Sequence, residues 1–260
     1  MRNHGRTLIF NALACLFFCP SVRFEVARAE DRAWEKISSY TTWFNEADAD
    51  RSENIAIATA LIDGITLQPY GEFSFNKTVG RRTAEAGFKQ AKIIVNGEYV
   101  LGVGGGVCQV STTLYNAALK SGLTVTEYHP HSLQVSYVAP SRDAMVSSLS
   151  DLQLFNAHDY AVKIEAKVSK GGVRIAFYGK KEGYRYEITT RVIAEIPAPP
   201  PIVKEGEKQE ILRSPKHGVK SEAYLERYQG NTLVERKRLR IDEYRPIQGI
   251  IVKKIGNTGD

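Results

Sequence analysis

A run of three glycines, Gly104-Gly105-Gly106, separates an alternating apolar stretch from a helical one and so dictates the local path of the chain. Upstream, Ala91 to Val95 and Tyr99 to Val103 flank Asn96-Gly97, the pattern of a β-hairpin with a two-residue turn. Downstream, Val107, Val110, Leu114 and Ala118 recur at helical spacing until Gly122, a residue suited to the left-handed position just past a helix end. The chain must therefore pass from strand to helix on glycines, and it delivers Cys108 into the first turn of that helix. Cys108, Ser111, Thr112 and Tyr115 share a stripe along it.

Elsewhere the periodicity is coarser. Ser52 to Gly64 reads as a short helix capped by Ser52, with Ile55, Ala58 and Ile62 on one face. Gln68-Pro69-Tyr70-Gly71 marks a turn, after which Phe73-Ser74-Phe75 alternates as a strand. Thr124 to Tyr128, Leu133 to Val138, Tyr160 to Val168 and Val173 to Tyr178 also read as strands, the last two joined by Lys170-Gly171-Gly172. Strands on both sides of two main helices predict an α+β fold with a mixed or antiparallel sheet. Pro197-Ala198-Pro199-Pro200-Pro201 has the composition of a semi-rigid spacer. A linker is expected at 197–201, between a domain at 30–196 and a small, extended β module at 202–260 with no chemistry of its own.

The first 29 residues read as an export signal, in which Arg2 and Arg6 precede the apolar stretch Leu8 to Val22 and Ala27-Arg28-Ala29 offers a cleavage site. Asn11 and Pro20 interrupt an apolar run already short of the about 20 residues a membrane span needs, so no stable span is expected after cleavage. An exported, periplasmic or wall-associated protein follows. Cys15 and Cys19 leave with the segment, as does about half of the formal charge of +6. The residual charge is too weak a footprint for nucleic acid, but it suits a polyanionic wall or an acidic peptide. Oxidising compartments favour disulfides, so the lone thiol left in the mature chain is hard to explain as structure.

The helix start gives that thiol a chemical reason to exist. Unpaired N–H groups and the positive end of the dipole stabilise a thiolate. The same groups, opened by Gly104, Gly105 and Gly106 and followed by Gln109, can receive the oxygen of a tetrahedral intermediate. Three competing readings are a small buried apolar cysteine, a phosphate loop and a metal site. The loop lacks a Gly-Lys-Ser/Thr ending, and Cys108 with His129 and His131 lacks paired ligand spacing. No metal or cofactor is expected. A base can come from His129 or His131, which an extended segment around Pro130 would turn to one side. Arg81, Arg82 and Arg142 are candidate carboxylate clamps, Ser111 and Thr112 candidate substrate contacts, and Asp143 and Asp151 candidate orienting groups for a histidine.

Several of these segments together resemble the VanW family of exported bacterial proteins, named from a glycopeptide-resistance cluster. The resemblance runs through Gly71-Glu72-Phe73-Ser74-Phe75-Asn76, Val79-Gly80-Arg81-Arg82-Thr83, the run from Gly104 to Asn116, His131-Ser132, Val135-Ser136-Tyr137, Arg142-Asp143-Ala144 and Asp151-Leu152, and covers about residues 38–179. It implies a cell-wall role and an L,D-transpeptidase-like activity in which Cys108 attacks a peptidoglycan stem peptide and forms a thioester. It also implies His131 as the base, oriented by Asp143 or Asp151, with His129 as an extra. Stem peptides are then the expected partner, with glycan as a further one. A non-catalytic wall-binding protein and a cysteine hydrolase of the same stems are the alternatives. Tyr70, Tyr128 and Ser141 depart from the family pattern, Ser141 standing where glycine is expected. The segment beyond the prolines distantly resembles the G-five module, a small β domain of wall-associated proteins.

Overall fold

A computed structural model describes residues 34–95 and 97–254. The expected signal at 1–29, with Cys15 and Cys19, lies outside the described residues. The first half runs β1 (Glu35–Trp43), α1 (Ala49–Ile62), β2 (Thr66–Leu67), β3 (Glu72–Ser74), α2 (Phe75–Val79), β4 (Gln90–Val95), β5 (Glu98–Val103) and α3 (Val107–Lys120). Next come β6 (Thr124–Glu127), β7 (Gln153–Phe155), β8 (Val162–Ser169), β9 (Gly172–Gly179) and β10 (Tyr184–Ile196). The last stretch holds β11 (Ile202–Gly206), β12 (Glu210–Arg213), β13 (Gly218–Gln229), β14 (Thr232–Tyr244) and β15 (Ile250–Lys254). The α+β class is as expected. The strands do not form one sheet, however, but five small ones among the described residues, with a single parallel pair, β11 and β15.

The core lies between the antiparallel sheet β1-β9-β8-β2 and the two long helices. In β8, strict alternation buries Val162, Ile164 and Ala166 and leaves Lys163, Glu165 and Lys167 on the outer face. Ile175 and Phe177 of β9, Ile55, Ala58 and Ile62 of α1, and Val110, Leu114 and Ala118 of α3 fill the other side. Truncating a fully buried residue such as Leu114 to alanine would cost about 2–5 kcal/mol.

Helix α1 starts earlier than Ser52. Asp48 caps it, its side chain accepting from Arg51 N at 3.3 Å, while Ser52 sits inside the first turn and donates to Asp48 O. Phe75 opens the short α2 instead of extending β3. Leu133 to Val138 makes no strand. Leu133 and Val135 are buried, which reproduces the alternation, but among the described residues the segment joins no strand, and Gln134 O accepts instead from Lys216 Nζ at 3.5 Å.

Helix α3 is central and almost wholly buried, polar positions included. Buried polar groups must be satisfied, and these are satisfied by tying neighbouring chain to the helix. Thr113 pairs with Thr42 of β1 at 2.7 Å, and Ser38 of the same strand donates to Ala117 O at 2.8 Å.

Strand pairing crosses the proline cluster. β10 runs antiparallel to β13 from Tyr184 opposite Gln229 to Ile196 opposite Gly218, and β13 pairs in turn with β14. Leu225 and Leu239 of these strands pack on the same core as Ile188 of β10. Residues 34–254 form one compact body. Among the described residues, no helix is long and apolar enough to cross a membrane.

Candidate active site

The glycine run is shaped by close packing. A Cβ on Gly105 would lie 2.7 Å from Lys92 O of β4, and one on Gly106 would lie 2.9 Å from Ile55 Cγ1 of α1, at φ +108. Neither position admits a side chain without displacing a neighbour. Several N–H groups of the turn are spent internally: Gly104 N on Lys89 O, Val107 N on Gly104 O, and Gln109 N on Gly106 O. The buried Asn54 side chain of α1 donates to Gly105 O and Lys89 O and so locks the loop onto the helix.

On this scaffold Cys108 is the second residue of α3, half-buried, with Val146 N–H donating to Sγ at 3.5 Å and Val146 O 3.3 Å from it. Burial pushes the thiol up, but the His131 imidazole as hydrogen-bond partner and positive charge, the Val146 backbone and the Arg82 guanidinium outweigh it, and the net direction is down. His131 is buried too, which lowers it. Asp143 first and then Cys108 more than reverse this, and His131 is pushed up to about 9. The arrangement favours a thiolate beside an imidazolium.

Asp143 holds the histidine twice. Its Oδ2 is 2.7 Å from His131 Nδ1 and accepts the His131 backbone N–H at 2.7 Å. A carboxylate at Nδ1 makes that nitrogen the donor and leaves Nε2 for the thiol. The segment carrying Asp143 is bracketed by α3: Asn116 donates to Arg142 O, Ser111 donates to Ala144 O, and Thr112 Oγ1 accepts from Ala144 N. Burial pushes the Asp143 carboxyl up, yet His131, Arg240 and Tyr244 hold it below its ordinary value.

Arg240 and Tyr244 belong to β14, in the stretch expected to carry no chemistry. The period of two puts Arg240, Asp242 and Tyr244 on one buried face while Ile241 and Glu243 point out. Tyr244 donates to Asp143 Oδ1, Arg240 Nη1 donates to Asp143 O at 2.6 Å, and Asp242 receives Arg240 Nε at 2.6 Å. The inverted alternation, polar inside and Ile241 outside, is the one trace of this in the sequence.

Other expected residues divide clearly. Arg81 and Arg82 line the cavity with Cys108 and His131. Gln109 lines it as well, but its side chain is a buried tie, accepting from Arg51 Nη2 at 2.8 Å and donating to Thr42 Oγ1 and Trp43 O. Ser111 and Thr112 are fully buried on Ala144, which explains them as positioning groups and not as substrate contacts. His129 is turned away to Glu127, 2.9 Å from its Oε1. Asp151 does not reach His131; it accepts from Ser74 Oγ and Asn76 N at the start of α2. Arg142 lies over the Tyr40 ring and donates to Asn116. Extended backbone allowed the two histidines one face, but His129 pairs with Glu127 and His131 with Asp143.

The cavity measures about 1080 Å³ and is bounded by α1, the loop after α2, the β4–β5 hairpin, the start of α3 and the 145–148 segment. Trp43 and Tyr99 stand exposed at it. Among the described residues, no group of three or more His, Cys, Asp or Glu side chains is gathered as for a metal ion.

An α+β domain with a cysteine at the start of a glycine-opened helix and a buried histidine–aspartate pair beside it is the class that fold and site define. Residues 50–178 match the family model described as VanW like protein, a span that contains all three, and through it the chain belongs to the VanW family. It is 41% identical over 145 residues to the uncharacterized protein YoaR of Bacillus subtilis (strain 168), covering 55% of this chain and 48% of that one. It is 27% identical over 90 residues to the vancomycin B-type resistance protein VanW of Enterococcus faecalis (strain ATCC 700802 / V583), covering 35% of this chain and 32% of that one. The chain thus spans about half the length of the first relative and about a third of the second. Among solved structures, the G5 domain of IgA1 protease aligns with 28% of this chain and 87% of its own, at 19% identity and a TM-score of 0.19. HP0197-G5 aligns with 28% and 99%, at 15% identity and a TM-score of 0.15. Likenesses at such scores say nothing further about the molecule.

Proposed function

We propose that the protein is an exported cell-wall enzyme, a cysteine acyltransferase of the L,D-transpeptidase kind acting on peptidoglycan stem peptides. One observation carries this reading: His131 sits between the thiol of Cys108 and the buried carboxylate of Asp143, beside a cavity large enough for a peptide. The signal-like first 29 residues and the resistance function named for the Enterococcus relative support the compartment.

In the first half-reaction the Cys108 thiolate adds to the carbonyl joining the third and fourth stem residues. The tetrahedral adduct collapses as the C–N bond breaks, and His131 Nε2–H protonates the departing amine of the terminal D-amino acid. A thioester remains. In the second half-reaction an acceptor amine attacks the thioester, His131 takes its proton, and the C–S bond breaks to restore the thiolate. Water in place of the amine would make the same site a hydrolase.

Incubation of the mature protein with disaccharide tetrapeptides, followed by mass spectrometry of products and intact protein, tests this. Cross-linked dimers and an acyl-enzyme that Cys108→Ala abolishes are expected. Shortened monomer without dimer would reassign the protein as a hydrolase. Muropeptide binding with neither product, in wild type and Cys108→Ala alike, would leave a wall-binding protein.

A further inference from the structure

The β4–β5 ribbon carries more apolar surface than two strands standing in water should. Among the described residues the pair joins no third strand. Residues opposite each other share a face, so Ile93, Val95 and Val100 lie on one side and Ile94, Tyr99 and Leu101 on the other. A half-buried antiparallel sheet has one apolar and one polar face; this ribbon is apolar on both. Its root is buried at Ala91, but beyond it Leu101 is 71% exposed, and Val95, Tyr99 and Val100 are exposed as well. A lone hairpin is marginal in water, and this one is braced from outside. Arg213 Nη1 pairs with Glu98 at 3.1 Å, and the Arg245 side chain runs past Gly97, where a Cβ would lie 3.8 Å from Arg245 Cδ.

Charge decides what covers such a surface. Arg81, Lys92 and Arg245 are exposed on and around the ribbon and form no ion pair among the described residues. The one acid of the ribbon, Glu98, is already matched by Arg213. A second copy docked across a two-fold axis would bring these cations against their own images, which is repulsive. An anionic bilayer supplies both complements, an apolar boundary for the side chains and phosphates for the cations. Tyr99, an apolar ring with a polar tip, is of the type that settles at that boundary. The outer edges of β4 and β5 pair with no strand, so their N–H and C=O groups need water, which limits the ribbon to head-group depth.

We propose that the β4–β5 ribbon docks the protein on the head-group region of an anionic lipid bilayer, through Val95, Tyr99, Val100 and Leu101, with Arg81, Lys92 and Arg245 on the phosphates. The acyl-transfer reading is not needed for this. Val95, Tyr99 and Val103 also line the cavity, so docking keeps the Cys108 site beside the membrane surface.

Flotation of the mature chain with vesicles of mixed phosphatidylglycerol and phosphatidylcholine, or of phosphatidylcholine alone, tests the surface. At low salt, partition onto the anionic vesicles should exceed that onto the neutral ones about tenfold or more, and high salt should erase the difference. Leu101 and Arg245 lie outside the cavity lining. Leu101→Glu should lower partition about tenfold or more, and Arg245→Glu should narrow the preference for anionic lipid, both with an unchanged rate of Cys108 labelling. A milder change assigns the contact without a new charge. An environment-sensitive fluorophore on Leu101→Cys in the Cys108→Ser background should shift to the blue on anionic vesicles, and one on Ile241→Cys should not. Absence of flotation, flotation that Leu101→Glu leaves intact, or an unshifted fluorophore at position 101 would overturn the proposal. A dimer that Leu101→Glu splits, with no vesicle binding, would overturn it too and make the ribbon a contact between copies.

Discussion

Tyr244, near the end of β14, donates a hydrogen bond to Asp143 Oδ1 across 101 positions of sequence, with both side chains buried. The carboxylate that holds His131 is therefore itself held by a strand from the far side of the proline cluster. Asp143 receives His131 on one oxygen and Tyr244 on the other, and Arg240 binds its backbone. A carboxylate so enclosed cannot rotate away from the imidazole, which is what a general base needs from its orienting group.

Removing the phenol leaves a buried carboxylate oxygen short of a donor. Tyr244→Phe should lower stability by about 1.5–3 kcal/mol in urea unfolding. Asp143→Asn removes the charge that favours the imidazolium, so at neutral pH the Cys108 thiolate is depleted. Iodoacetamide labelling should then slow about tenfold or more, its midpoint moving upward in pH. Unchanged labelling in Asp143→Asn would disconnect the aspartate from the thiol.

His131 and Asp143 also set how stability follows pH. His131 is raised in the folded protein to about 9, so its contribution is complete below the ordinary histidine value of about 6.5 and is lost as pH climbs through about 9. Asp143 is lowered, so its contribution is present above the ordinary carboxylate value and is lost as pH falls through the folded one. Cys108, lowered as well, gains stability with rising pH and opposes the histidine. In Cys108→Ala, where Asp143 still holds His131 up but the thiolate no longer does, the unfolding free energy should decline from about pH 6.5 upward over a window that closes below 9, and adding His131→Gln should flatten that decline. A rise over this range would reverse the assignment of the charged pair.

The glycine turn gives a sharper structural test. Gly106→Ala places a Cβ 2.9 Å from Ile55 Cγ1 at a φ of +108. Left-handed strain and overpacking together should cost about 2–5 kcal/mol, visible as a lower urea midpoint at unchanged slope. A mild effect would mean that α1 yields, and Cys108 labelling would then report whether the helix start moved with it.

What the sequence made legible was local. The hairpin, the glycine turn, the start of α3 at Val107 and the left-handed Gly122 follow from patterns only a few residues long. The position of Cys108 in the first turn of α3 was accessible by the same logic, whereas His131 was singled out from His129 only by the family resemblance. Choosing Asp143 over Asp151 was not, because that choice depends on Ser111, Thr112 and Asn116 pinning the 142–144 segment to α3. Tyr244 and Arg240 were hidden for a further reason. Their face of β14 is polar and buried, whereas alternation is ordinarily read by placing apolar residues such as Ile241 inside.

Ser141 joins the two halves of the chain at a position where glycine was expected. It adopts φ +60, which is unfavourable for a residue with a Cβ, yet it is buried, its Oγ lies 2.7 Å from Ser221 Oγ of β13, and its N–H donates to Tyr244 Oη at 2.7 Å. The hydroxyl pair offsets the backbone strain. Ser141→Ala keeps the strain and leaves Ser221 without that partner, so it should destabilise by about 1–3 kcal/mol. Ser141→Gly loses the same hydrogen bond but relieves about 1–2 kcal/mol of left-handed strain, and should lie closer to wild type. Urea unfolding of the two variants beside Ser221→Ala separates the terms. If Ser141→Ala proves neutral, the hydroxyl pair contributes nothing and the departure from glycine at this position has no structural return.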